Sequence, residues 1–88
     1  MNKFDLCALL CRCCELTELG HDTFFHFCPH INRVRITHYF GRWDPITATR
    51  YESFNVVTDN DADNLYDTYT LNDACARLDG YINALKGA

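Results

Sequence analysis

The sequence has no long hydrophobic run and none of the familiar catalytic signatures. No stretch approaches the roughly 20 apolar residues that a membrane-spanning helix requires. A glycine-rich phosphate loop, a nucleophile elbow and a Cys/His catalytic pattern are also missing. The first apolar run is interrupted by Asp5 and Arg12, which makes it too polar and too short for a signal peptide. We therefore predict a cytoplasmic protein that is not an enzyme, has no catalytic residues and uses no cofactor.

Composition and charge indicate one globular domain over residues 1–88. The chain is 48% hydrophobic and carries a net charge of -4, which suits a single modest core and argues against a general nucleic-acid binder. The charges are also segregated along the chain. A basic region is followed by an acidic segment without cations: Arg33, Arg35, Arg42 and Arg50, then Asp59, Asp61, Asp63 and Asp67.

The six cysteines would suit a disulfide framework, but the expected reducing compartment favours free thiols that act as small apolar side chains. A zinc site is the alternative. Cys11 and Cys14 have the spacing of a ligand pair, yet in a helix their side chains point about 60° apart. His26, Cys28 and His30 alternate on a predicted strand. We predict free thiols without metal, and binding of zinc by one of these clusters stays open.

Hydrophobic periodicity predicts the order α-β-β-β-α. Residues 5–19 and the segment after Thr70 have helical spacing, with Asp5 and Thr70 as caps and Gly20 as a left-handed terminator. Three strand-like runs at 23–28, 33–40 and about 50–58 lie between the helices, and 58–69 is predicted to be loop. The fold class is therefore α+β, a three-stranded antiparallel meander with both helices on one face. The predicted core comprises Leu10, Leu16, Val34, Ile36, Phe54, Cys75, Leu78 and Ile82.

The run 33–40 alternates strictly and is predicted to be the central strand. Val34, Ile36 and His38 point toward the helices, so His38 is interpreted as a hydrogen-bonded core histidine. The opposite face should show Arg33, Arg35, Thr37 and Tyr39, beside Tyr51, Ser53 and Asn55. Arginine and tyrosine in combination are typical of partner-binding surfaces.

The acidic segment has carboxylates at the first, third, fifth and ninth positions of a calcium-binding loop. Its twelfth position is Thr70, however, where such loops have a bidentate glutamate, and a strand precedes it. We therefore interpret the segment as a solvated acidic loop without bound metal, with calcium binding left open.

Two resemblances concern architecture. The α-β-β-β-α order resembles the double-stranded-RNA-binding domain, but that family has a lysine-rich cluster where this chain has Asn72 and Asp73, so we expect no binding of double-stranded RNA. Size, acidity and element order also look like small phage-encoded anti-CRISPR proteins. Some of those occupy the nucleic-acid site of a nuclease with clustered carboxylates. This second resemblance implies an inhibitor of a bacterial defence complex, and it assigns no individual residue.

The sequence thus predicts a small, acidic interaction protein with a protein partner, such as a nucleic-acid-handling complex. The expected mechanism is charge mimicry, in which Asp59, Asp61, Asp63 and Asp67 occupy a basic groove and exclude phosphate. The alternative is a nucleic-acid-binding module that uses Arg33, Arg35, Arg42 and Tyr39. The oligomeric state is not predicted.

Overall fold

The computed structural model describes residues 2–46, 49–57 and 68–87. In the described residues, two helices pack on one face of a mixed four-stranded sheet whose strand order is β1-β2-β3-β4. The first three strands pair antiparallel, and β4 pairs parallel to β3. The described elements are α1 (Lys3–Glu18), β1 (Thr23–Cys28), a 3-10 turn (Pro29–Ile31), β2 (Arg33–Tyr39), β3 (Tyr51–Val57), β4 (Thr68–Thr70) and α2 (Leu71–Gly87).

The fold class α+β is confirmed, but the predicted three-stranded antiparallel sheet was wrong. The chain adds β4, in a stretch that was predicted to be loop, and places it parallel to β3. Thr68, Tyr69 and Thr70 are β-branched or aromatic and suit a strand. Three residues are too few, however, to show the alternation from which strands are recognised. Pairing with Asn55–Val57, and not local pattern, makes this stretch a strand.

The first helix begins two residues earlier than predicted. Asn2 is the cap, and its side chain accepts a hydrogen bond of 2.9 Å from the Asp5 backbone N–H. The Asp5 carboxylate in turn accepts one of 3.3 Å from the Asn2 N–H, which completes a capping box. At the other end Gly20 has a φ of +108°, as predicted, and the His21 N–H bonds to the Leu16 carbonyl at 2.9 Å.

The core lies between the helices and one sheet face. Of the predicted core residues, those that are buried in one cluster are Leu16, Val34, Ile36, Phe54, Leu78 and Ile82. Leu10 was wrong: it is 44% exposed, and Cys75 is only partly buried. Leu9 and Cys13 occupy the inner face of α1 instead, since they precede Leu16 at helical spacing.

Ion pairs join the two helices above the sheet. The Arg12 guanidinium contacts both carboxylate oxygens of Asp79 at 2.9 and 3.2 Å, and Lys86 pairs with Glu15. Because both helices contribute to the one core cluster, the opposite sheet face is left for other contacts. Across residues 2–46, 49–57 and 68–87, neither helix is long and apolar enough to cross a membrane.

Candidate functional site

The sheet face opposite the helices is here called the open face. Strand alternation and register place on it Phe24 and His26 of β1, the Arg33, Arg35, Thr37 and Tyr39 side chains of β2, and Tyr51, Ser53 and Asn55 of β3. This matches the face predicted from the alternation of residues 33–40. Phe24 and Arg35 are exposed on this face. Val57, which strand alternation places on the same face at the Arg33 end, is buried.

Three aromatic rings from three strands form a cluster at one end of the open face. The ring centroids of Phe24 and Tyr39 lie 5.8 Å apart at an interplanar angle of 81°. Those of Tyr39 and Tyr51 lie 5.2 Å apart at 35°. Phe24 is 52% and Tyr51 is 58% exposed, so this aromatic cluster presents large apolar surface to solvent. Such rigid amphipathic rings supply contact area at low entropic cost.

The polar residues of the open face extend from the aromatic cluster toward Arg33. Thr37 and Ser53 hydroxyls lie 3.0 Å apart, and Arg35 donates to the Asn55 side-chain oxygen at 3.3 Å. The Nε atom of Arg33 is buried, with no hydrogen-bond partner among the described residues. No carboxylate occupies an open-face position in the described strands. The face is therefore locally cationic although the chain is acidic.

Arg42 and four aspartates complete the set of predicted binding residues. Asp59, Asp61, Asp63 and Asp67 lie outside the described residues. Arg42, proposed with the open-face arginines, instead holds a turn: it donates to the Asp22 carboxylate and to the Thr17 carbonyl, each at 2.8 Å. The Asp22 carboxylate also accepts the Trp43 N–H at 2.8 Å. The hydrogen bond from the Trp43 N–H has the largest effect on the pKa of Asp22, and the one from Arg42 adds to it; both lower this pKa.

A second concentration of polar groups lies under α2, around His38. His38 is fully buried, and its Nε2 lies 3.0 Å from Nδ1 of His21. The Glu52 carboxylate lies 3.6 Å from its Nδ1, which is too long for a hydrogen bond. Arg77 of α2 holds Glu52 with two contacts, at 3.1 and 2.5 Å. Sequence reasoning placed His38 correctly but did not detect the Glu52–Arg77 pair.

The groups around His38 determine its tautomer and the direction of its pKa shift. We assign to the neutral ring the tautomer with its hydrogen on Nδ1, which faces the Glu52 carboxylate; Nε2 then accepts a hydrogen bond from His21. Burial lowers the pKa of His38, and neighbouring His21 adds to this, while Glu52 opposes it. Burial raises the pKa of Glu52, but hydrogen bonds from Arg77 and Tyr81 outweigh it and leave that pKa lowered. The His38 ring packs against that of Tyr81, with the centroids 4.5 Å apart, and is closed to solvent.

All six cysteines are free thiols. Cys13 belongs to the core, and burial raises its pKa to about 12. Cys7, Cys11 and Cys14 are exposed on α1. In the described part of the chain, no three His, Cys, Asp or Glu side chains are placed to hold a metal ion.

Phe24 is an open-face residue that sequence reasoning missed. The alternation of β1 could have indicated it, because Phe25 and Phe27 pack against the core and Phe24 must then point the other way. Comparison with family models, with curated proteins and with solved structures gave no match. Function is therefore inferred from the chemistry of the surfaces described above.

Proposed function

We propose that this chain is a non-enzymatic binding protein that holds a protein partner on its open face. The supporting observation is the exposed aromatic cluster of Phe24, Tyr39 and Tyr51 next to Arg35. Tyrosine and arginine dominate the energetic centres of protein interfaces, where large rings fill pockets and guanidinium groups pair with carboxylates.

The charge of the open face suggests the chemistry of the partner surface. Arg33 and Arg35 are its charged groups, and the described strands place no acidic side chain beside them. A complementary surface therefore carries carboxylates near an apolar pocket. The binding energy is expected to come from the rings, and the arginines set orientation and partner choice.

A second candidate is the binding of single-stranded nucleic acid on the same face. Aromatic rings on an open sheet beside arginines are the arrangement on which unpaired bases stack. The net charge of -4 works against it, because phosphate would be repelled at long range. We therefore prefer a protein partner.

Charge mimicry by Asp59, Asp61, Asp63 and Asp67 is a separate proposal that rests on the sequence. It would direct the acidic segment to the basic groove of a nucleic-acid-handling complex, as in a phage-encoded inhibitor of bacterial defence. Replacing the four aspartates with asparagine should then abolish partner binding and leave the thermal midpoint unchanged or higher. If calcium binds there, the ion would instead raise the midpoint of the parent alone.

The experiment begins with capture of the partner from a bacterial lysate, with and without nuclease treatment, followed by titration calorimetry with the purified partner. Tyr51→Ala and Arg35→Ala should each weaken binding about tenfold or more, as expected for residues at the centre of an interface. Lys86→Ala is the matched control, since it removes an exposed cation from α2 on the other side of the sheet.

The outcomes separate the candidates. If the chain binds bare single-stranded RNA or DNA, and the affinity depends on Tyr51 and falls steeply with salt, the second candidate function is established. Full-strength binding of the protein partner by both open-face variants, with loss in the asparagine variant, would transfer the function to the acidic segment and refute the open-face proposal.

A further inference from the structure

The outward side of α1 is apolar where a surface helix is normally polar. Leu9, Cys13 and Leu16 face the core, and the residues opposite them are Phe4, Cys7, Cys11 and Cys14, here called the outer stripe. All four are exposed, and Phe4 is 74% exposed. Free cysteine is among the most often buried residue types. Three exposed thiols and a phenyl ring in one line therefore indicate a surface that another molecule covers in the functional state.

The spacing of the outer stripe is that of a helix-pairing seam. Its members follow one another at intervals of three, four and three residues, which is the alternation of core positions in a coiled coil. Half-exposed Leu10 widens the stripe on one side, where a groove of about 460 Å³ lies between α1 and β1. A helix therefore fits this surface better than an extended peptide or a small molecule.

The charges at the two ends of the outer stripe indicate which helix binds there. Exposed Lys3 lies at its start and exposed Glu18 at its end, with no charged residue within the stripe itself. An antiparallel copy of the same helix places Lys3 opposite Glu18 at both ends, whereas a parallel copy would bring like charges together. Antiparallel pairing also aligns the helix dipoles favourably, and a twofold axis requires this kind of self-complementarity.

We propose that the outer stripe of α1 is a homodimer interface, in which α1 pairs antiparallel with α1 of a second copy through Phe4, Cys7, Cys11 and Cys14. A 16-residue helix is about 24 Å long, so the contact is small for a specific interface. The expected dissociation constant is on the order of micromolar. The open face stays free in such a dimer, so each copy binds its own partner.

Charge reversal tests the pairing directly by sedimentation equilibrium in reducing buffer. Lys3→Glu and Glu18→Lys should each weaken self-association about tenfold, because symmetry repeats the contact twice. The double reversal should restore it to within about threefold. Each substitution suits the helix dipole, so circular dichroism should show that α1 is retained. Equal association in all four proteins would overturn the proposal.

A charge placed within the outer stripe provides a second test. Cys11→Glu should make the chain monomeric, and the matched control Ala76→Glu, which adds the same charge at an exposed position of α2, should not. A parent chain that stays monomeric at several hundred micromolar, or an outer stripe that binds only a different protein, would refute the inference.

Cross-linking with a short bismaleimide reports the direction of the helices. In a Cys28→Ser background with one exposed α1 thiol retained, the Cys11 variant should cross-link to itself. The Cys7 variant should cross-link only when mixed with the Cys14 variant. Self-cross-linking of the Cys7 variant would mean a parallel pair and would overturn the antiparallel arrangement.

Discussion

His38 should make the stability of this protein depend on pH below neutrality. Its ring is fully buried and is faced by His21, by Glu52 of β3, and by Arg77 and Tyr81 of α2. Burial lowers the pKa of His38 below its usual value of about 6.5. In the unfolded chain the imidazole therefore takes up a proton at a higher pH than in the folded protein.

The sign and size follow from this difference. Where the unfolded state binds the extra proton, the free energy of unfolding falls as pH falls, by at most about 1.4 kcal/mol per pH unit. The stability from His38 is thus fully present above about pH 6.5 and is lost as pH drops from 6.5 toward the folded pKa. The lowered pKa of Glu52 acts in a separate window, below about pH 4.5.

Urea unfolding between pH 5 and 7.5 measures the effect. His38→Phe replaces the ring by one that does not titrate, so its stability should fall less steeply with acidification than that of the parent. Because the variant also loses the contact between Nε2 and His21, the readout is the slope of stability with pH and not the absolute free energy of unfolding. His26→Gln, on the exposed side of β1, is the control. Parallel pH profiles for the parent and His38→Phe would refute the reasoning.

Three further predictions concern the fold. Leu78→Ala, in the centre of the core, should lower the free energy of unfolding by about 2–5 kcal/mol, and a loss below half of one kcal/mol in urea unfolding would show that α2 is not packed there. Asn2→Ala removes the cap of α1 and should cost about 1 kcal/mol; Asn83→Ala, on the exposed side of α2, should cost little, and equal losses would contradict the capping box. In thiol labelling followed by mass spectrometry, Cys13, whose pKa burial raises to about 12, should react last, well after the outer thiols, and early modification would mean that α1 is not docked as described.

The parts of the fold that local pattern controls were predictable. The alternation of Val34, Ile36 and His38 gave the central strand and the open face, and Gly20 marked the end of the first helix. The phase of α1 was predicted only approximately. Leucine and cysteine occur around most of its circumference, so periodicity alone could not choose Leu9 over Leu10.

Features that depend on residues far apart in the sequence were not predicted. β4 exists as a strand because three residues meet the end of β3. Tyr39 and Tyr51 were predicted to share a face, but the contact of their rings requires the register that sets the two residues opposite each other. The Glu52–Arg77 pair joins residues 25 positions apart. Local sequence specifies none of these distances, although it supplied the residue types.

The ion pair between Arg12 and Asp79, 67 positions apart in the chain, has a consequence for synthesis. A ribosome adds about 5–20 residues per second, so Arg12 is synthesised about 3–13 s before Asp79. For most of that interval the sheet lacks β4, and throughout it α1 lacks a complete α2 beside it. We therefore expect the nascent chain to present apolar side chains and thiols together, and to bind chaperones until α2 emerges.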